Sequence, residues 1–498
     1  MPSSALIDTT RDGDSDESSE NSELDNELLL LDNLSFASDS GNDGGNHELK
    51  TAPIFTRDAY IEANLDQNIM QYGVLGTVVN IQSPSSAKSV PSDRRLYLNT
   101  NAPFSAVVCG VQGSGKSHTV SVMLESMFIP HCPAVGELAR PLSGLVLHFG
   151  ETGSSSRPCE AAYLGASQYP GVRAPQIYVY VSPSSLNRMT ALYAQLGGHI
   201  QVRPLYFAES ELDASAFLSM MAIGSSEAAP LYIQTVKSIL RTLGEKYTYD
   251  AFIDILEMKK QSFNPAQLSG LQQRLELLQT FTLPRKKGMK AEKARPRFSR
   301  GKITIVDLSD PFIDPSSACG IFEIMLRLFE RADVSTGKVL VVDEAHKYLS
   351  ETRAASGLTK ALLSLIRQQR HMSMRVIMST QEPTVIPPVF IELSSLAIMH
   401  RFSSSAWWSH LAKHVSADLS GDDTFDQVVK LKTGEAIVFA PSGLAMLEYT
   451  SPSSGKAVSN GSGPAKERKL GQLGRRSLLI KTRRRVTKDG GVSILAVN

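Results

Sequence analysis

Cysteine is scarce in this sequence. Its 498 residues hold four, Cys109, Cys132, Cys159 and Cys319, and no two stand in a C-x-x-C pair. That spacing offers neither a zinc-finger ligand set nor a disulfide framework, and it suits a reducing compartment. Long apolar runs are missing as well. None approaches the roughly 18 residues of a membrane-spanning helix. The acidic first thirty residues lack the apolar core of a signal peptide. The expectation is a cytoplasmic or nuclear protein with no membrane contact of its own.

Net charge is almost absent at +1, but the total hides an uneven spread. Residues 1–50 carry thirteen Asp/Glu against Arg11 and Lys50, whereas the last thirty-odd residues are strongly basic. The acidic segment 1–51 buries too little apolar surface to offset its ordering entropy, so it reads as disordered. The run ELLLLDNL at 27–34 is its exception, either a short docking helix or an exposed apolar patch.

Residues 52–100 form a β-rich lead-in, with GVLGTVVNIQ (73–82) and RLYLN (95–99) as strands. From 101 to about 450, short β-branched runs alternate with helical stretches, the pattern of an α/β domain. The expected core strands are SAVVCG (105–110), SGLVLHFG (143–150), IYVYVS (177–182), KITIVDL (302–308), KVLVVDE (338–344) and MRVIMST (374–380). Several are almost wholly apolar, as strands covered on both faces should be. Between about 207 and 282, Leu and Ile recur at three- and four-residue steps, which predicts a helical insertion. A basic loop follows at 285–302, with nine Lys/Arg and one Glu. Residues 451–474 read as a flexible linker, and 475–498 as a basic β-hairpin turning near Asp489-Gly490.

The chemistry concentrates after the first core strand. VVCGVQGSGKSHT (107–119) contains G-x-x-x-x-G-K-[ST]. In such a loop, glycines at Gly110, Gly113 and Gly115 let the backbone N–H groups of Val111, Gln112, Ser114 and their neighbours turn toward phosphate. The following helix, opening through Ser117 and His118, points its positive end at the same charge. Lys116 would reach the β- and γ-phosphates of ATP, and the Ser117 hydroxyl would hold Mg²⁺. KVLVVDEAHKYL (338–349) supplies the complement. Asp343 ends an apolar strand, placed to complete the Mg²⁺ shell, and Glu344 is positioned to polarise an attacking water, which suits hydrolysis better than kinase chemistry. RVIMSTQEP (375–383) ends a third buried strand in Gln381, which either reads the γ-phosphate or orients water. Arg370, after LLSLIRQQ, is either a finger reaching another subunit's phosphate or a solvated helix end. Arg401 and Asp307 are weaker candidates.

At these motifs the chain resembles the HerA–FtsK–VirB4 branch of P-loop ATPases, and most of all fungal members of that branch. The resemblance spans about 95–405 and rests on KITIVDLSD, LVVDEAHKYL and RQQRHMSMRVIMSTQEPTVIPP. It implies a RecA-like P-loop core with a mainly parallel sheet, ATP and Mg²⁺ as ligands, and a ring of identical subunits, a hexamer in the DNA pumps of that branch, that moves DNA. It also implies Glu344 as catalytic glutamate, Gln381 as sensor and Arg370 as finger. The chain has Gln369-Arg370-His371 where many members have Gly-Arg-Lys, and Glu382 where a basic residue is common. The letters DEAH also mark a helicase class, but the arginine-rich second-domain motif of that class is missing.

Nucleic acid would meet the basic segments 285–302 and 475–488. Only Phe298 offers a stacking ring in the first of them. Two functions therefore stand at this stage: an ATP-hydrolysing ring motor, and a slow nucleotide-dependent switch or scaffold.

Overall fold

The computed structural model describes residues 44–67, 69–83, 86–153, 156–220, 231–261, 263–282, 296–349, 357–415, 422–450 and 466–491. The expectations for 1–43, for most of the basic loop, for 451–465 and for 492–498 lie outside them. The chain divides into two units at Thr51. In the first, Gly44–Thr51 is helical, so the expected disorder stops short of Thr51. Its Glu48, Leu49 and Lys50 are unbranched at Cβ and lose little freedom in a helix.

The second unit holds β1 (Ile54–Thr56), β2 (Tyr72–Ser83), β3 (Ser86–Ser89), β4 (Arg95–Asn99), β5 (Ser105–Cys109), β6 (Gly136–Glu137), β7 (Ser143–His148), β8 (Gln176–Val181), β9 (Ile200–Pro204), β10 (Lys302–Asp307), β11 (Lys338–Val342), β12 (Met374–Thr380), β13 (Leu396–Met399), β14 (Glu435–Phe439), β15 (Leu444–Thr450), β16 (Lys466–Gln472) and β17 (Ser477–Thr482). Eight of them run parallel in the spatial order β9-β8-β10-β7-β11-β12-β5-β13. All six strands expected for the core lie in this group. Helices cover both faces, which is why β5, β7, β11 and β12 are buried along their whole length. This mixed α/β sheet is the arrangement expected from the sequence, with β12 between β5, which leads into the G-x-x-x-x-G-K-[ST] loop, and the acid strand β11.

Beyond β13 the sheet continues antiparallel through β14, β17, β2 and β4. The lead-in 52–100 is thus part of the same sheet. The described part of the expected C-terminal hairpin takes another form: β17 is inserted between β14 and β2 and pairs with both. It carries the apolar run LLI (478–480) and is paired along both edges, so it is an interior strand. Gly76 of β2 permits that pairing, because a Cβ there would fall 2.3 Å from the Lys481 carbonyl oxygen. The expected linker also ends early, since Lys466–Gln472 pairs with β15 as β16.

Between β9 and β10 stand the helices Ala214–Met220, Leu231–Leu243, Tyr249–Lys260 and Pro265–Thr280. Thr248 caps the third, and Asn264 forms a capping box with Gln267 on the fourth. The Phe207 N–H donates to the Phe281 carbonyl at 2.7 Å, closing the segment's ends together. The described end of the basic run is not a free loop. Arg297 is mostly buried, pairs with Glu211 at 2.7 Å and stacks over Tyr180 and Phe207.

Candidate nucleotide site

The phosphate loop starts where β5 ends. Gly110, Gly113 and Gly115 have φ of 145°, 74° and 113°, backbone that side-chain-bearing residues rarely adopt. At Gly110 space forbids a side chain too, because a Cβ would lie 2.8 Å from that of His400. Gly115 is the N-cap of the helix Lys116–Phe128, so the first-turn N–H groups face the loop. The Lys116 ammonium donates to the Val111 carbonyl at 3.0 Å, and the Ser114 hydroxyl donates to the same oxygen at 2.7 Å. Burial lowers the Lys116 amine below its ordinary value, and the neighbouring carboxylates of Glu344 and Asp343 only partly offset this. Turned N–H groups and a buried cation facing two acids form a donor set that fits a polyphosphate. His118 is engaged elsewhere: its Nε2 donates to the Arg483 carbonyl at 2.8 Å and its Nδ1 lies 3.3 Å from Asp489. Its side chain is therefore not part of the phosphate set, which leaves its backbone N–H.

The acid pair follows β11. The Asp343 N–H donates to the Leu147 carbonyl at 2.9 Å, and one carboxylate oxygen meets His148 Nδ1 at 2.8 Å. Burial would raise the Asp343 carboxyl, but the hydrogen bond and charge of His148, the Glu344 N–H and Lys116 hold it below the usual range. Burial would lower His148, yet Cys159, Asp343 and Asp307 hold it well above an ordinary histidine. The Cys159 thiol is itself pushed up by burial, so at neutral pH the Asp343 carboxylate is the charged partner of His148.

Glu344 sits at φ 51°, the left-handed region, and caps the turn Ala345–Lys347. The Gln381 amide donates to both of its carboxylate oxygens, each at 3.1 Å. His346 Nδ1 accepts the Gln381 N–H at 3.4 Å. Burial lowers His346, so this imidazole is neutral, and its 3.5 Å approach to Glu344 is not an ion pair.

The structure brings the loop, Asp343, Glu344 and Gln381 to one edge of the sheet, since Thr380 pairs with Cys109 and Val342 with Met378. Arg370 does not join them. It is exposed and precedes β12, so the length of that strand separates it from the phosphate loop of its own chain. Arg401 lies at the right edge, its carbonyl accepting the Val111 N–H at 3.0 Å. Asp307 accepts from Tyr193 and Ser309, away from the loop.

Sequence reasoning passed over three participants. His148 ends β7 as Asp343 ends β11, a polar residue closing an apolar strand; the same signal was present in LVLH. His400 ends LAIM in the same way. It is buried, with Nδ1 on the Glu435 carbonyl at 2.9 Å and Nε2 on the Thr119 hydroxyl at 3.0 Å. The third is Gly434, whose N–H donates to the Ser114 carbonyl at 3.2 Å. That contact joins segments 320 residues apart, and no local signal reports it.

No protein-family model matches the chain. No curated protein matches it. Solved structures do. The genome-packaging NTPase B204 of Sulfolobus turreted icosahedral virus 2, in complex with ATPγS, is 10% identical over 68% of this chain and 92% of that one, with a TM-score of 0.29. VirB4 of Thermoanaerobacter pseudethanolicus is 12% identical over 74% and 93%, at 0.39. The bacterial conjugative coupling protein TrwBΔN70 is 10% identical over 74% and 77%, at 0.32. These likenesses are distant in sequence and loose in superposition; what the site can do rests on its own geometry.

Proposed function

We propose that the chain hydrolyses ATP to ADP and phosphate, in a ring of like copies that couples turnover to movement along DNA or another polymer. One observation supports the chemistry above all: a phosphate loop, an acid pair and a polar amide meet at the ends of the adjacent strands β5, β11 and β12. Lys116 leaves the Val111 carbonyl for the phosphates. Glu344 accepts a proton from the water whose oxygen attacks the γ-phosphorus, as the bond to the ADP oxygen breaks. Ser117 and Asp343 would hold Mg²⁺, which supplies neutralisation of phosphate charge. Gln381 cannot hold both oxygens of Glu344 and also donate to a γ-phosphate, so ATP competes with Glu344 for the amide. Arg370 acts on the phosphate of a neighbouring copy.

A second reading, a slow nucleotide-dependent switch, is favoured by a specific observation. Both acids are already engaged, Asp343 by His148 and Glu344 by Gln381. Two arginines of the basic tail are also used internally. Arg483 pairs with the fully buried Glu125 at 2.6 Å, and Arg485 pairs with Glu160. The deciding experiment is phosphate release from the full chain, with and without DNA or RNA, beside Glu344→Gln. The motor reading expects acceleration by nucleic acid and a loss of about a hundredfold or more in the variant. Slow turnover indifferent to nucleic acid, with ATP still bound, establishes the switch instead.

A further inference from the structure

Beside Asp343 lies a second set of metal-ligating groups. His148 closes β7, Asp343 follows β11, and Cys159 precedes the turn Glu160–Gly165. An imidazole nitrogen, a thiol sulfur and a carboxylate oxygen from these three lie within 4.8 Å of one another. His148 Nδ1 is 2.8 Å and Cys159 Sγ 4.0 Å from the same Asp343 oxygen. His148 and Cys159 are buried. Among the described residues this is the one group of three such side chains.

The spacing suits a tetrahedral ion. Bonds of about 2.0–2.3 Å place neighbouring ligand atoms about 3.3–3.8 Å apart. The His148–Asp343 contact needs to open by roughly half an ångström and the sulfur to close by a few tenths. The supports are in place. The Cys159 N–H donates to the Tyr193 hydroxyl at 3.0 Å, and that hydroxyl donates to Asp307 at 2.6 Å. Asp307 in turn lies opposite His148 across β10 and β7. One thiolate, one imidazole and one carboxylate select zinc over magnesium, and three protein ligands leave a fourth position for water.

We propose that His148, Cys159 and Asp343 bind a soft divalent cation, zinc in particular, and that the bound ion withdraws Asp343 from the nucleotide's Mg²⁺. Binding replaces the Cys159 thiol proton and the proton shared by His148 and Asp343 with metal bonds, and both protons pass to solvent. The first half is independent of the hydrolysis reading; the second rests on it.

The test uses the purified full chain with cobalt(II) and zinc. One equivalent of cobalt should produce a thiolate-to-metal charge-transfer band that zinc abolishes. Cys159→Ser should lose this band and Cys132→Ser should keep it. A band that survives in Cys159→Ser, or no band in the wild type, overturns the site. X-ray absorption at the zinc edge of the wild type needs no variant: one sulfur with nitrogen and oxygen neighbours supports the site, and a shell without sulfur refutes it. Hydrolysis tests the second half. Zinc should inhibit at the concentration at which it binds, and at least tenfold more weakly in Cys159→Ser, each rate taken relative to the same protein without zinc. Inhibition unchanged in that variant, or full hydrolysis with zinc bound, overturns the withdrawal of Asp343. A wild type that binds zinc through sulfur but never hydrolyses ATP refutes the hydrolase reading and leaves the ion site standing.

Discussion

His400 shows how one residue ties the site to stability. Its Nδ1 faces a carbonyl and must carry the proton, so Nε2 accepts from Thr119. Burial pushes its pKa down to about 4. The unfolded chain, with an ordinary histidine near 6.5, binds more protons between these values, so stability falls as pH drops from about 6.5 to 4. The full difference is about 3 kcal/mol, complete above pH 6.5. Urea unfolding of wild type and His400→Gln across this range should show the variant with the shallower acid slope. Equal slopes refute the assignment. Gln381 belongs to the same scale. Gln381→Ala should lower kcat by about tenfold or more while nucleotide affinity moves only a few-fold, because in the proposed mechanism bound ATP gains the amide only as Glu344 loses it, which leaves little net binding at stake. A change in KM alone would make it a ground-state contact.

At the scale of elements, the C-terminal strand decides. A basic hairpin on a linker would be dispensable, whereas β17 fills a gap between β14 and β2. Removing residues 473–498 exposes two interior strand edges, and the truncated chain should lose cooperative thermal unfolding; a sharp melt near that of the full chain would show the strand to be dispensable. The segment after β17 then clasps the phosphate-loop helix. Glu125, fully buried on that helix, accepts from Arg483 at 2.6 Å, the Val486 and Thr487 N–H groups at 2.9 Å each, and the Thr487 hydroxyl at 2.7 Å. Glu125→Gln leaves Arg483 without its carboxylate partner and should cost about 3–5 kcal/mol in chemical denaturation. A cost below about 1 kcal/mol would mean that Arg483 reaches solvent instead.

At the scale of the whole molecule, Arg370 poses the question of assembly. It stands at the far edge of the sheet from the phosphate loop of its own chain, so its proposed use requires a second copy. Lys116→Ala and Arg370→Ala should each be inactive alone. Mixed in equal amounts, they should regain up to about a quarter of wild-type hydrolysis, the share of interfaces that join an intact loop to an intact arginine. No recovery, in a mixture shown to co-assemble, removes the finger role.

The six parallel core strands and the three motifs at their ends were legible from sequence because their signals are local. A strand buried on both faces is an apolar run. A phosphate loop needs glycine where φ is positive. The acids follow their strand immediately. Tertiary structure alone placed His148 on Asp343, Gly434 on the phosphate loop, and Arg483 and Arg485 on Glu125 and Glu160. It also turned an expected hairpin into an interior strand. Each of these joins segments distant in the chain, and composition reports a charge without reporting its partner. A basic tail therefore reads alike in sequence whether its arginines face solvent or lie paired with buried carboxylates; only packing, which sets the cost of leaving either charge alone, tells the two apart.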